Sequence, residues 1–239
     1  MTAPDDFPRR SFLYRKLAEA GAVFEALDGA AVARHFGDPA GEAAAARRLG
    51  LVDLSPLART GFKGAGTPAW LAGQGVAVPE ASNRAARQVG GGLAARLAPN
   101  ELLILDAPGG ERSAALEAAW AAESLPPETP NGTPRGFPLP RRDSHAWFLV
   151  TGAEAAAMFA KICGVDLRPG KFGDLAIAQT SVARLSAIVI RDDLGGQLAY
   201  HLLSDSASAS YFWDCLLDAM AEFDGRPVGL DALGSLAGG

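Results

Sequence analysis

The chain of 239 residues is 49% hydrophobic and 21% charged, a composition typical of a globular protein with a sizeable core. Its formal net charge of −5 argues against a nucleic-acid-binding or anionic-membrane surface, because such a surface needs a basic patch to replace counterions. The segment 1–10 lacks the apolar core of a signal peptide, and no run approaches the ~20 apolar residues of a membrane span. We therefore expect a cytoplasmic protein.

The first part of the chain predicts a hairpin between two helices. The first helix is predicted over 11–20. The apolar segments 22–27 and 30–35 flank Asp28-Gly29, a pair that favours a two-residue turn because both positions tolerate positive φ. The segment 41–49 is rich in alanine and arginine and predicts a helix that ends at Gly50.

The middle of the chain predicts strands at 58–63, 92–97 and 101–105 and helices at 67–71 and 111–123. The glycines after the first of these strands match a dinucleotide fingerprint, Gly-x-Gly-x-x-Ala. The strand itself contains Arg59, Thr60 and Lys63 instead of the continuous apolar run of a buried parallel strand. We therefore reject nucleotide binding at this position. The segment 125–142, rich in proline and glycine, is typical of a linker or surface loop.

The segment 143–225 has the clearest pattern of secondary structure. It predicts a strand at 146–150, a helix at 153–162, three strands within 176–203 and a helix that begins near Ser206 and ends at Gly225. The order strand, helix, three strands, helix predicts an antiparallel sheet covered on one face by helices, in the ferredoxin-like manner.

A weak internal repeat relates this segment to the middle of the chain. In both places a strand, a helix and a Gly-Val exit are followed later by a strand and a long helix. The sequence therefore predicts an α+β fold of two packed halves, 1–124 and 143–239, joined by the loop 125–142 into one compact unit.

Two sets of motifs resemble known proteins. Gly50-Leu-Val-Asp-Leu-Ser55, after Glu42 and Arg47-Arg48, resembles the glycine-cleavage T-protein superfamily of folate-binding aminomethyltransferases. The second half resembles the gamma subunit of heterotetrameric sarcosine oxidase in four segments: 142–147, 163–167 with Phe172, Ile177-Ala-Gln-Thr-Ser-Val-Ala-Arg-Leu185, and 205–223. The resemblance covers nearly all of the chain from Gly41 to Leu233.

The resemblance implies an accessory subunit in a complex that oxidises sarcosine or a related N-methyl amine. It implies alpha, beta and delta partner subunits, which would carry FAD, FMN, NAD, tetrahydrofolate and zinc, and no cofactor or catalytic residue in this chain. T-protein enzymes carry a catalytic aspartate in a loop that matches 96–101, where this chain has no aspartate. The alternative is a free-standing T-protein-like protein that binds tetrahydrofolate or transfers an aminomethyl or methyl group.

Arg184 and Arg191, which the pattern places on adjacent strands, are the candidates for holding a carboxylate, such as the glutamate tail of folate, by bidentate hydrogen bonds. The alternative is that both form surface or interface ion pairs, a common use of strand arginines. Cys163 and Cys215 lack a Cys-x-x-Cys partner, which excludes a zinc knuckle, and we expect both to be reduced and packed. No metal ligand is predicted.

Three histidines, His35, His145 and His201, are each predicted at a strand end in a structural role. Asp166 is predicted to form a salt bridge or a partner contact, and Asp205 to cap the last helix. The four tryptophans are predicted to be core or interface anchors: Trp70, Trp120, Trp147 and Trp213.

Overall fold

The computed structural model describes residues 4–123 and 136–237. Its contacts divide the chain into two compact units, one made of Met1–Pro56 with His145–Gly239 and the other of Leu57–Ser144. These boundaries differ from the predicted halves, because a strand near residue 50 pairs with a strand that begins at His145. Pairing between residues so far apart leaves no local pattern in the sequence. No described helix is long and apolar enough to cross a bilayer.

The described residues form fourteen strands and seven α-helices, which are numbered in chain order. The first unit contains β1 (Arg9–Arg10), α1 (Tyr14–Glu19), β2 (Val23–Leu27), β3 (Ala30–His35), α2 (Pro39–Leu49), β4 (Gly50–Asp53), β10 (His145–Thr151), α5 (Ala155–Ile162), β11 (Ile177–Val182), β12 (Leu185–Arg191), β13 (Ala199–Asp205), α6 (Ala209–Ala221), β14 (Arg226–Pro227) and α7 (Leu230–Ala237). The second unit contains β5 (Arg59–Lys63), α3 (Thr67–Gly73), β6 (Arg84–Arg87), β7 (Leu93–Ala98), β8 (Glu101–Leu105), α4 (Arg112–Ala122) and β9 (Phe137–Pro138).

The main sheet of the first unit has six strands in the order β11-β12-β13-β10-β4-β14. All neighbours are antiparallel except β14 and β4. Helices α5 and α6 cover one face, where Phe148 of β10 packs with Phe212 and Trp213 of α6. The order strand, helix, three strands, helix that the sequence predicts for 143–225 is confirmed.

The sheet of the second unit has five strands in the order β6-β7-β8-β5-β9. Its core lies under α3 and α4, where Phe62 of β5 contacts the rings of Trp70 and Trp120 at centroid distances of 5.1 and 5.4 Å. Both tryptophans are half-buried, whereas Trp147 and Trp213 of the first unit are 2% and 4% exposed. All four are packed, as the sequence predicts.

The internal repeat is present in the topology. Each unit contains a strand, a helix, three antiparallel strands and a helix, and in each sheet the first strand of the set pairs with the fourth. The sequence misses β6, because Arg84 and Arg87 interrupt the apolar pattern of an edge strand. It also misses α7. Most of the predicted loop 125–142 lies outside the described residues, and its described part includes β9.

A three-stranded sheet, β1-β3-β2, completes the first unit. The turn between β2 and β3 has positive φ at Asp28 (51°) and Gly29 (72°), which confirms the predicted hairpin. Helix α2 ends where β4 begins, at Gly50. The N-terminal hairpin and α2 are therefore joined through β4 to the six-stranded main sheet.

Candidate functional site

The two predicted arginines lie at opposite ends of β12. Arg191 is the last residue of that strand, whereas Arg184 lies in the two-residue turn before it and not on a strand. A strand of seven residues spans about 20 Å. The structure therefore does not bring the two guanidinium groups together.

Arg191 is buried and bound to the chain's own groups. Its Nε and Nη2 donate to the two carboxylate oxygens of Asp193 at 2.8 and 2.5 Å, and its Nη1 donates to the carbonyl of Phe172 at 2.6 Å. The hydrogen bond to Asp193 raises the pKa of Arg191 above its ordinary value. Nη1 also donates to the carbonyl of Pro169 at 3.4 Å, so four of the five N–H groups of Arg191 are used. No second pair remains for a bidentate clamp, and Arg191 does not fit a folate carboxylate.

Arg184 is exposed and has φ of +67°. The preceding residue, Ala183, has φ of +49° and donates its N–H to the carbonyl of Ile162 at the end of α5. Two consecutive non-glycine residues in the left-handed region form the tight turn between β11 and β12. The side chain of Arg184 lies on the surface, where it can contact a partner.

The segment Gly50–Ser55, which resembles a T-protein motif, is a hydrogen-bonded connection. Buried Asp53 accepts from the N–H of Ser55 at 3.0 Å and from the hydroxyl of Ser11. The hydroxyl of Ser55 in turn accepts from the N–H of Trp147 at 3.0 Å, near the start of β10. These bonds fix the chain where it leaves β4.

Glu42 has a structural role in the same motif. It is 2% exposed, and its carboxylate accepts from the N–H of Phe36 at 2.7 Å and of Gly229 at 2.8 Å. Of the arginines that follow, Arg48 donates to the carbonyl of Phe223. The carboxylate of Glu42 therefore joins the backbone at Phe36 to the backbone at Gly229, which is distant in sequence.

The sequence misses a buried polar cluster on the other face of the main sheet. Trp147 Nε1 donates to His201 Nδ1 at 3.0 Å, and His201 Nε2 lies 3.5 Å from the carboxylate of Asp192. All three side chains are buried.

His201 lies in the middle of β13, so its prediction at a strand end is wrong, whereas His35 ends β3 and His145 begins β10. The sequence signal for this cluster was a histidine within the apolar run of a predicted strand.

An arginine holds the β7–β8 hairpin, which matches the loop in which T-protein enzymes carry their catalytic aspartate. Arg96 donates to the carbonyls of Pro79, Glu80 and Pro99 at 2.6–2.9 Å. The carboxylate of Glu101, at the start of β8, is paired with Lys63 at 2.9 Å and Arg141 at 2.5 Å. The charged groups at this hairpin are therefore used to hold the loop.

Asp106 is a second buried carboxylate that the sequence misses. It follows β8 and lines a cavity of about 410 Å³ beside the glycine turn 90–92. It accepts from the N–H of Ser113 at 3.0 Å and from its hydroxyl at 2.7 Å, which caps α4. Burial raises the pKa of Asp106, against the lowering effect of these hydrogen bonds.

The remaining predicted polar residues form local contacts. Asp166 pairs with Arg168 at 2.6 Å, and Asp205 accepts from the N–H of Ala207 at 2.8 Å at the turn that leads into α6. The contact of Asp166 agrees with the sequence. Asp205 caps the short 3-10 helix Ser206–Ser208 that precedes α6 instead of α6 itself, and the last described helix is α7. Cys163 and Cys215 are free cysteines, one buried and the other half-buried. Within 4–123 and 136–237, no group of three histidine, cysteine or carboxylate side chains could hold a metal ion.

Comparison with known proteins identifies the family. Residues 82–237, most of the chain, match the GCVT N-terminal domain family. The chain therefore belongs to the GCVT N-terminal domain family. No curated protein sequence matches it significantly.

Two solved structures share the fold. The glycine cleavage system aminomethyltransferase T from Bartonella henselae has a TM-score of 0.74 at 17% identity, over 96% of this chain and 62% of that one. A chain of the heterotetrameric sarcosine oxidase from Corynebacterium sp. U-96, in complex with pyrrole 2-carboxylate, has a TM-score of 0.61 at 23% identity, over 80% of this chain and 94% of that one. The chain thus spans less than two thirds of the aminomethyltransferase. Its T-protein-like α+β fold, predicted from the sequence, is confirmed.

Proposed function

We propose that the chain is a non-catalytic, gamma-type subunit of a sarcosine oxidase-like flavoenzyme complex that oxidises sarcosine or a related N-methyl amine. The observation that carries this proposal is the fold match over 94% of a chain of a heterotetrameric sarcosine oxidase and 80% of this chain. The aminomethyltransferase, in contrast, extends well beyond the aligned region. In the proposed complex, alpha, beta and delta subunits carry FAD, FMN, NAD, tetrahydrofolate and zinc.

The buried acidic, basic and histidine side chains support a structural role. Each one described is bound by the chain's own atoms: Glu42, Asp53, Arg59, Asp106, Arg191, Asp192 and His201. A catalytic acid or base must reach a substrate proton within hydrogen-bond distance. Because these side chains already bind the chain's own atoms, they favour a role in assembly over a role in catalysis.

The test is purification of the tagged chain from its native host, with an untagged strain as control. The expected result is a yellow complex in which stoichiometric partners co-elute and the absorbance spectrum shows flavin. A colourless, monodisperse single chain would contradict the proposal.

The second candidate function is a free-standing tetrahydrofolate-binding or methyl-transferring protein. The fold match to an aminomethyltransferase over 96% of this chain favours it. Calorimetric titration of the isolated chain with tetrahydrofolate separates the two functions. Stoichiometric binding by the single chain supports the second, and no heat of binding supports the first.

A further inference from the structure

The cavity beside Asp106 lies between the turn 88–92 and the start of α4. Its volume of about 410 Å³ falls within the range of roughly 300–1,000 Å³ that small-molecule sites occupy in proteins. All of its lining residues belong to the second unit. The cavity is therefore formed by one compact unit of this chain.

The turn 88–92 forms a fixed wall of the cavity. Its three glycines have φ between 80° and 93°. The side-chain amide of Gln88 binds both the N–H and the carbonyl of Ala77 at 3.0 Å. A Cβ on Gly91 would lie 2.9 Å from the Cβ of Ala107, so the absence of a side chain lets the turn approach the end of β8. Because this wall is ordered before a ligand arrives, binding costs less ordering of the chain.

Asp106 gives the cavity a buried negative charge with unused acceptor capacity. Its Oδ1 accepts from the hydroxyl of Ser113 at 2.7 Å, and its two oxygens share the N–H of Ser113 at 3.0 and 3.1 Å. An ionised carboxylate has about four acceptor sites, and Asp106 accepts no other hydrogen bond from a described residue. Burial raises its pKa, so its neighbours do not fully offset the cost of the buried charge. An ammonium group beside Asp106 would offset that cost.

Arg112 gives the same cavity a positive charge. It is half-buried, and its Nη2 donates to the carbonyl of Val89 at 3.2 Å. It is close enough to Asp106 for its charge to lower the pKa of that carboxyl. Arg112 forms no ion pair with a described residue, and its other N–H groups suit a carboxylate. One small molecule can therefore meet both charges.

The rest of the lining includes an apolar surface. Leu116 is 4% exposed, and Ala107, Ala115 and Val89 line the cavity with it. Val89 is 92% exposed, so a ligand that covers it removes apolar surface from water. The cavity thus offers a negative group, a positive group and an apolar wall to the same ligand.

We propose that this cavity binds a small zwitterionic α-amino acid with an apolar side chain, such as leucine. Its ammonium group binds Asp106, its carboxylate binds Arg112, and its side chain lies along Leu116. A simple cation fits less well because Arg112 repels it, and a simple anion is repelled by Asp106 and by Glu111. Glu111 is exposed, where solvent screens its charge, so the ammonium group is assigned to Asp106. The inference concerns binding without catalysis, and it goes beyond the proposed function without depending on it.

The first test titrates the isotope-labelled full chain with leucine and follows the backbone amide signals by NMR. Isoamylamine, which is leucine without its carboxylate, and isocaproate, which is leucine without its amino group, are the matched ligands. We expect leucine to cause saturable shifts in 88–92 and 106–116, and each analogue to bind at least about tenfold more weakly. Equal binding of either analogue, or no saturable shift in these segments, would overturn the proposal.

The second test changes one charge at a time. Asp106→Asn removes the negative charge and keeps an oxygen that can accept from Ser113, and Arg112→Gln removes the positive charge. The controls are Glu117→Gln and Arg84→Gln, which change exposed residues of the same unit outside the cavity lining. Each site variant should bind leucine about tenfold more weakly than its control. A site variant that binds leucine as well as its control would refute the assigned contact.

The third test fills the cavity without touching its charges. Ala115 and Ala118 are both exposed on α4, and only Ala115 lines the cavity. Ala115→Phe should therefore abolish the shifts that leucine causes, while Ala118→Phe should leave them unchanged. Equal binding by the two would place leucine elsewhere and overturn the proposal. Because position 115 is exposed, this pair decides the matter even if Asp106→Asn fails to fold. The proposed function is tested by the partners that co-elute, so either proposal can fail alone.

Discussion

The indole of Trp147 donates a hydrogen bond to the imidazole of His201 across the buried face of two adjacent strands, at 3.0 Å. An indole N–H can only donate, so His201 Nδ1 accepts and the imidazole proton resides on Nε2, which faces Asp192. The cluster thus fixes one neutral tautomer of His201. Its position inside the sheet favours specification of the strand pairing over catalysis.

Replacing Trp147 should cost more stability than replacing another buried tryptophan. Trp147→Phe leaves His201 Nδ1 buried without the indole donor, whereas Trp213→Phe only replaces the indole that packs on Phe148 by a smaller ring. We expect the first change to lower the free energy of unfolding by about 1–3 kcal/mol more than the second, as measured by urea denaturation. Nitrogen NMR of the wild type should show the Nε2–H tautomer of His201. Equal losses for the two variants, or an Nδ1–H tautomer, would refute this account.

Removing the charge of Glu42 should destabilise the first unit. Its carboxylate accepts from the N–H groups of Phe36 and Gly229 with different oxygens, and the amide of glutamine offers only one acceptor. Glu42→Gln should therefore lower the free energy of unfolding by about 1–3 kcal/mol, measured by urea denaturation. Glu25→Gln is the control, because Glu25 is exposed and lies 3.6 Å from Arg34. A loss no larger than that of the control would show that the carboxylate is dispensable.

The sequence predicts the elements that local patterns determine. The apolar run before Thr151 and the helical spacing through Phe212 specify β10 and α6, and Asp28-Gly29 specifies a hairpin, because each depends on neighbours in the chain. β6 was missed because Arg84 and Arg87 hide its period. Because the turn of a hairpin sets its register, the pairing of β2 with β3 could also be predicted from the sequence.

The site was harder to predict, because its geometry depends on distant residues. Arg191 was a reasonable candidate for a carboxylate from its residue type, yet its carboxylate is Asp193, two positions away. The partner of Glu42 at Gly229 is likewise set by tertiary packing. A pattern in the sequence shows which residues can bind, and only the fold shows which of them already have a partner.

Tyr200 should make stability fall at high pH. Burial raises the pKa of Tyr200 from 10.0 to about 12, and its hydroxyl donates to the carbonyl of Leu167 at 2.7 Å. Because the unfolded phenol loses its proton near pH 10, the contribution is complete below that pH and is lost as pH rises from 10 towards 12. Urea denaturation between pH 9 and about 11.5 should show a steeper fall for the wild type than for Tyr200→Phe. Parallel curves would contradict this assignment.

Gly152 should be the glycine least tolerant of a side chain at the junction of α2 and α5. It has φ of +114°, and an added Cβ would lie 2.3 Å from the carbonyl of Arg48 at the end of α2. The next two N–H groups, of Ala153 and Glu154, bind the carbonyls of Arg47 and Arg48 at 3.0 Å. Backbone atoms cannot move aside without breaking these bonds, so Gly152→Ala should destabilise the protein by about 3 kcal/mol or more. Gly164→Ala, in open space at the end of α5, should change the free energy of unfolding by less than about 1 kcal/mol. Thermal and urea unfolding of the two variants measures the difference, and a Gly152→Ala protein as stable as Gly164→Ala would show that the close approach of α2 to this turn does not hold.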